Sequence, residues 1–143
     1  MHSYLVSLRI SGKALDPSDV TKDLSIEPTQ VRIAGEPRPG GKSVWEESMW
    51  EYEARPTTGE IEWLTLEAGL RELLSSFSNC VEKLRVYQRL NEVCIFCGHF
   101  SDSFNGGPSL SPALLKSLGD FGVELFLDTY RANGVGAEAG EGS

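Results

Sequence analysis

Tyr4, Val6, Leu8 and Ile10 alternate with Leu5, Ser7, Arg9 and Ser11, which predicts a half-buried strand that ends at Gly12. Asp16-Pro17-Ser18-Asp19 then reads as a helix start. Asp16 is the cap, Pro17 takes the first helical position and Asp19 sits near the positive helix end. Val20 and Leu24 should point inward, and the helix should stop before Pro28. A second strand is expected over Thr29 to Ala34, with Val31 and Ile33 on one face. Gly35-Glu36-Pro37-Arg38-Pro39-Gly40-Gly41 is punctuated as a loop, and Val44 to Ala54 reads as a long third strand. Of that strand's two faces, the one with Val44, Glu46, Trp50 and Tyr52 is expected to be the more buried.

Trp63, Leu66, Leu70, Leu73, Leu74 and Phe77 recur at three- and four-residue steps, the stripe of a helix, which Thr57 or Thr58 would cap. Ser78-Asn79 interrupts it, and Asn79 with Glu82 can cap a second helical piece carrying Val81, Leu84 and Tyr87. Val93-Cys94-Ile95-Phe96-Cys97 is apolar at every position, the pattern of a central strand covered on both sides. A loop rich in Gly, Ser and Asn follows from Asp102 to Pro108. Ser111-Pro112 starts another short helix, which ends near Gly119 or Gly122, and Val123 to Tyr130 alternates as a last strand. The order β-α-β-β-α-β-α-β predicts an α+β fold. Its first six elements form a ferredoxin-like, mostly antiparallel sheet, and a helix and strand are added whose place in the sheet the pattern does not fix. Residues 1–131 are expected to be one domain. Residues 132–143, all but confined to Gly, Ala and Glu, are expected to be a disordered tail.

Several of these pieces come in a familiar order. They are Leu8-Arg9-Ile10-Ser11-Gly12, Leu15-Asp16-Pro17, Leu24-Ser25-Ile26-Glu27-Pro28-Thr29, Leu110-Ser111-Pro112-Ala113-Leu114-Leu115, Gly122-Val123-Glu124-Leu125 and Asp128-Thr129-Tyr130. Together they resemble a widespread bacterial family described only as a domain of unknown function, and the likeness runs from about Tyr4 to Arg131. It implies a bacterial, cytoplasmic origin and a one-domain chain, and it brings no activity or catalytic residues with it.

Thirteen Lys and Arg against twenty-one Asp and Glu give a net charge of −8. Phosphate backbones are bound by cations that displace counterions, so neither nucleic acid nor an anionic membrane is an expected partner. A basic protein partner fits the charge, as an acidic immunity-type protein would bind a basic nuclease, and so does self-association into a homodimer. The first ten residues lack the pattern of a signal peptide, and the three cysteines make an odd count. Reduced thiols in a cytoplasm are expected.

Cys94-Ile95-Phe96-Cys97 has C-x-x-C spacing, but in a strand, residues three apart point to opposite faces. Buried structural cysteines are therefore expected, with no metal site and no cofactor. Gly40-Gly41-Lys42-Ser43 lacks the first glycine of a phosphate loop and precedes a strand rather than a helix, so it reads as a hairpin loop. Two binding readings remain. In one, Trp45, Glu47 and Glu51 alternate aromatic and acidic groups and can hold a cation or a basic partner, against the plainer reading of aromatics in the core and acids in water. In the other, His99 and Asp102 border the flexible loop and supply acid–base groups for a small-molecule site or enzyme. No nucleophile motif accompanies them and no catalytic residue is assigned, so a non-enzymatic binding or protein-interaction domain is the favoured expectation.

Overall fold

The computed structural model describes residues 1–103 and 105–131. It contains five strands, β1 (His2–Gly12), β2 (Gln30–Arg32), β3 (Ser48–Ala54), β4 (Glu92–Ser101) and β5 (Glu124–Arg131). The helices are α1 (Pro17–Leu24), α2 (Leu66–Ser76), α3 (Val81–Leu90) and α4 (Pro112–Phe121). The strands form one open sheet in the order β2-β3-β1-β4-β5. β1 lies antiparallel between β3 and β4, and β2 is antiparallel to β3, which is the ferredoxin-like arrangement the element order predicts. The added β5 takes the edge beside β4 and runs parallel to it, so α4 is the crossover of a β-α-β unit. The predicted tail falls outside the described residues.

The alternation of β1 sets the inside of the fold. Tyr4, Val6, Leu8 and Ile10 are buried against Trp50, Ile95 and Cys97 of the neighbouring strands, and Val20, Leu24, Leu70, Leu73, Leu84 and Leu114 of the four helices close over them. All these side chains belong to one core on one face of the sheet. Local signals start α1 and α4 where the sequence places them. The Asp16 carboxylate accepts from the Ser18 amide with Pro17 in the first turn, and the Ser111 hydroxyl accepts from the Leu114 amide with Pro112 in the first turn. α4 stops at Gly122, whose φ of 72° is the left-handed conformation that a helix end needs and glycine adopts without strain.

Four expectations are corrected. The first helix turn of α2 is capped by Thr65, not by Thr57 or Thr58, because Trp63 is held extended by two backbone hydrogen bonds to Tyr4 at 2.8 Å each. Cys80, not Asn79, occupies the cap position of α3, without a side-chain cap bond. β2 keeps only three residues of the expected six, and β3 starts at Ser48 rather than Val44. The residues between them bond to each other instead, Gly35 with Trp45 and Arg38 with Ser43, and form an extended hairpin loop. The last correction concerns β4, which among the described residues has its helices on one side alone. Ile95 and Cys97 are buried beneath them, whereas Cys94 and Phe96 point to the helix-free face and are only half-buried.

Candidate functional site

The helix-free face can be read from the strand register. One row across it is Gln30, Glu51, Arg9, Cys94 and Glu124. The next is Glu53, Ser7, Phe96 and Phe126. A third places Arg32, Met49, Ser11 and Glu92 side by side. A strand with one polar and one apolar face normally gives such rows to water. Here they carry large rings and guanidinium groups in contact. Arg9 lies with its guanidinium carbon 3.9 Å from the Phe96 ring centre, and Phe96 stacks on Phe126 at 5.8 Å. Phe126 is 51 % exposed, although it belongs to a strand.

The β2–β3 loop supplies the other wall. Trp45 leaves the loop toward the sheet, and the guanidinium carbons of Arg32 and Arg38 sit 4.2 and 4.6 Å from its ring centre. Between this wall and Phe126 runs a groove of about 460 Å³, with Arg9, Ser11, Met49, Cys94 and Phe96 as its floor and Glu46, Glu47, Ser48 and Glu92 along its margin. That volume lies within the range of small-molecule sites, roughly 300–1,000 Å³.

The charges in the groove are not equivalent. Arg9 donates from Nε to Glu51 Oε2 at 2.7 Å, and the Ser7 hydroxyl donates to the same oxygen at 2.8 Å. Among the described residues the ion pairs are those of the Met1 amine, Arg9, Arg55, Arg71 and Lys116, so neither Arg32 nor Arg38 has one. Arg32 Nε is buried and meets no hydrogen-bond acceptor among the described residues. A charged donor in that position costs about 1–3 kcal/mol or more until something accepts from it. The Cys94 thiol on the floor is pushed above its ordinary pKa by burial, and then by the carboxylate of Glu124.

The residues singled out in the sequence are thus divided. Trp45 and Glu47 line the groove, and Glu51 lies in the row beneath it, bound to Arg9. His99 and Asp102 belong to a separate place at the far end of β4. His99 is only 5 % exposed, with its ring stacked on Tyr4 at 4.7 Å and on His2 at 5.0 Å. His2 Nε2 lies 2.8 Å from the Asn105 carbonyl oxygen, which only accepts, so that nitrogen carries the proton. In the neutral pair His99 Nε2 then donates to His2 Nδ1 at 2.8 Å, and the Thr129 hydroxyl donates to His99 Nδ1 at 3.4 Å. Both imidazoles are spent on tying the loop after β4 to β1. Burial, then the charge of His2, holds the His99 pKa below the ordinary imidazole value. Asp102 is exposed and pairs with the Met1 amine.

Cys94 and Cys97 point to opposite faces of β4, Cys94 into the groove and Cys97 into the core, where burial pushes its thiol up to about 12. All three cysteines are free thiols. Among the described residues no cluster of three or more His, Cys, Asp or Glu side chains has metal-site geometry, and no helix is long and apolar enough to cross a membrane.

Sequence reasoning passed over Arg9, Arg32, Arg38, Phe96 and Phe126. One signal was present. Arg9 stands on the outward side of β1, and an outward arginine beside an apolar strand can pair with a carboxylate or lie on a ring. Arg9 has both.

These features define a ferredoxin-like α+β domain whose helix-free sheet face bears a groove lined by rings and arginines. The family model for a domain of unknown function, DUF4279, matches residues 2–132, and the chain belongs to that family. No curated protein and no solved structure matches it.

Proposed function

We propose that residues 1–131 form a non-enzymatic binding domain, and that the groove on the helix-free face holds a small molecule containing a flat ring. The observation that carries this reading is the pairing of half-exposed rings with stacked guanidiniums in one concave place: Phe96 and Phe126 on the sheet, Trp45 opposite them. An exposed phenylalanine on a strand loses about 25 cal/mol per Å² of apolar surface left in water, and a flat guest between the walls recovers that loss.

A cationic guest or basic partner would need the face of Trp45 and the carboxylate of Glu51. The first is covered by Arg32 and Arg38, and the second is taken by Arg9 and Ser7. Support therefore moves from a basic protein to a small molecule. The buried His99, with both ring nitrogens engaged, likewise supports a structural role over an acid–base one.

N-phenyl-1-naphthylamine, an uncharged flat probe whose fluorescence rises on binding, tests the reading. Phe126→Ser removes a largely exposed ring and should leave the circular dichroism spectrum unchanged while weakening probe binding tenfold or more. Equal affinity in the two proteins would remove the groove as the binding place.

A further inference from the structure

Resting on the groove reading above, we infer that the guest is a small organic anion whose acidic group is held by Arg32 and Arg38. Both guanidiniums lie on Trp45, with their carbons 4.2 and 4.6 Å from its ring centre, and neither is ion-paired among the described residues. A guanidinium stacked by its face keeps its N–H groups at the edge, where a carboxylate, sulfonate or phosphate monoester accepts two parallel bonds. Arg32 and Arg38 both line the groove, within reach of an acidic group that enters it. Arg9 takes no part in holding charge, because Glu51 already neutralises it. It serves as floor beneath the ring instead, stacked on Phe96.

The margin bears on how much charge the guest can carry. Glu46, Glu47 and Glu92 line the same groove and are exposed to solvent. Salt damps the field of such exposed carboxylates, and that of the exposed Arg38, over about 8 Å, whereas the partly buried Arg32 is screened less. One or two negative charges are attracted. A polyanion long enough to pass the margin meets three acids and is repelled, as the net charge of −8 also requires. The site thus fits a ring bearing a single acidic group, not a nucleic-acid strand.

Two probes with the same ring system separate this inference from the reading beneath it: 1-anilinonaphthalene-8-sulfonate and its uncharged parent N-phenyl-1-naphthylamine. The wild-type protein should bind the sulfonate at least tenfold more tightly. Arg38→Met, and more fully Arg32→Met with Arg38→Met, should bring the ratio near one while changing the affinity for the uncharged probe less than threefold. Arg38 is solvent-exposed, so its single variant keeps the test independent of folding. Equal affinities in the wild type, or a preference that survives both substitutions, would overturn the anion and leave the ring site standing. If neither probe binds, both fall.

Discussion

Replacing Trp50 with alanine is expected to lower the folding free energy by about 3–5 kcal/mol, the usual range for deleting a large buried ring. Trp50 is fully buried in β3, and it joins the sheet to two helices at once. Its indole N–H donates to the Thr21 hydroxyl of α1 at 3.1 Å, and its ring meets the edge of Phe77, just past α2, at 6.2 Å and 86°. The substitution therefore removes a large apolar contact and opens a cavity between layers that cannot collapse independently. Native domains are stable by only about 5–15 kcal/mol, so the loss takes a large share of the total. Urea denaturation should show a lower midpoint with an unchanged slope. Trp50→Phe, which keeps a ring and gives up the Thr21 bond, should fall between the two. A loss below about 1 kcal/mol for the alanine variant would mean that the layers are not packed as described.

The second large effect is acid sensitivity through His99. Burial lowers its pKa in the folded state, while the unfolded chain keeps the ordinary value near 6.5. Below that pH the unfolded chain takes up a proton which the folded protein resists. Stability is therefore complete above about pH 6.5 and declines as pH falls toward the folded-state value, by up to about 1.4 kcal/mol for each pH unit. Carboxylates act in a different window. Hydrogen bonds to Ser18 lower the Asp16 pKa, and bonds from Ser111 and Arg71 lower that of Glu67, so their contributions are lost only as pH falls through the carboxylate range. Folding free energies measured between pH 7.5 and 5 should thus fall in the wild type. In His99→Gln they should be flatter over the same interval. A wild-type curve without slope there would refute the buried neutral imidazole.

His99 also shows where sequence reading reaches its limit. Its place at the end of a strand, near an aspartate and a stretch rich in Gly, Ser and Asn, suggested reactive chemistry. Strand register supports a structural role instead, because it puts Tyr4 and His99 opposite each other on the inner face and brings His2 close enough to bond. Register depends on partners distant in sequence, so it is not written locally. The elements fixed by short-range signals were legible: alternation in β1, the Asp16-Pro17 and Ser111-Pro112 helix starts, and the opposed thiols of β4. Elements that long-range pairing trims were not. Val44 to Glu47 alternates as a strand does, yet β2 ends at Arg32 and β3 begins at Ser48, so Val44 and Trp45 pair with the loop residues Glu36 and Pro37 instead, and Trp45 becomes the wall of the groove.

The groove escaped notice for a related reason. Apolar residues at successive positions of β4 imply cover on both faces, and the sequence offers helices for only one. Rings and arginines from four other segments provide the rest, Arg9 of β1, Phe126 of β5, Arg32 of β2, and Arg38 and Trp45 of the loop. Of the residues proposed from pattern alone, Trp45, Glu47 and Glu51 lie at or beside this groove. What the pattern did not supply is the source of the cation on Trp45, which is the chain itself.

The three tryptophans make the decisive measurement simple, because each indole N–H gives its own signal in a nitrogen–proton correlation spectrum. Trp50 bonds to Thr21 and Trp63 to the Ala54 carbonyl at 2.8 Å, so both indoles are anchored away from the groove, and Trp45 alone lines it. On titration with 1-anilinonaphthalene-8-sulfonate, the Trp45 indole signal and the amides of Cys94, Phe96 and Phe126 should shift together and saturate. Shifts confined to Trp63 or to the helices, with Trp45 unmoved, would contradict the assignment of the helix-free face as the binding surface.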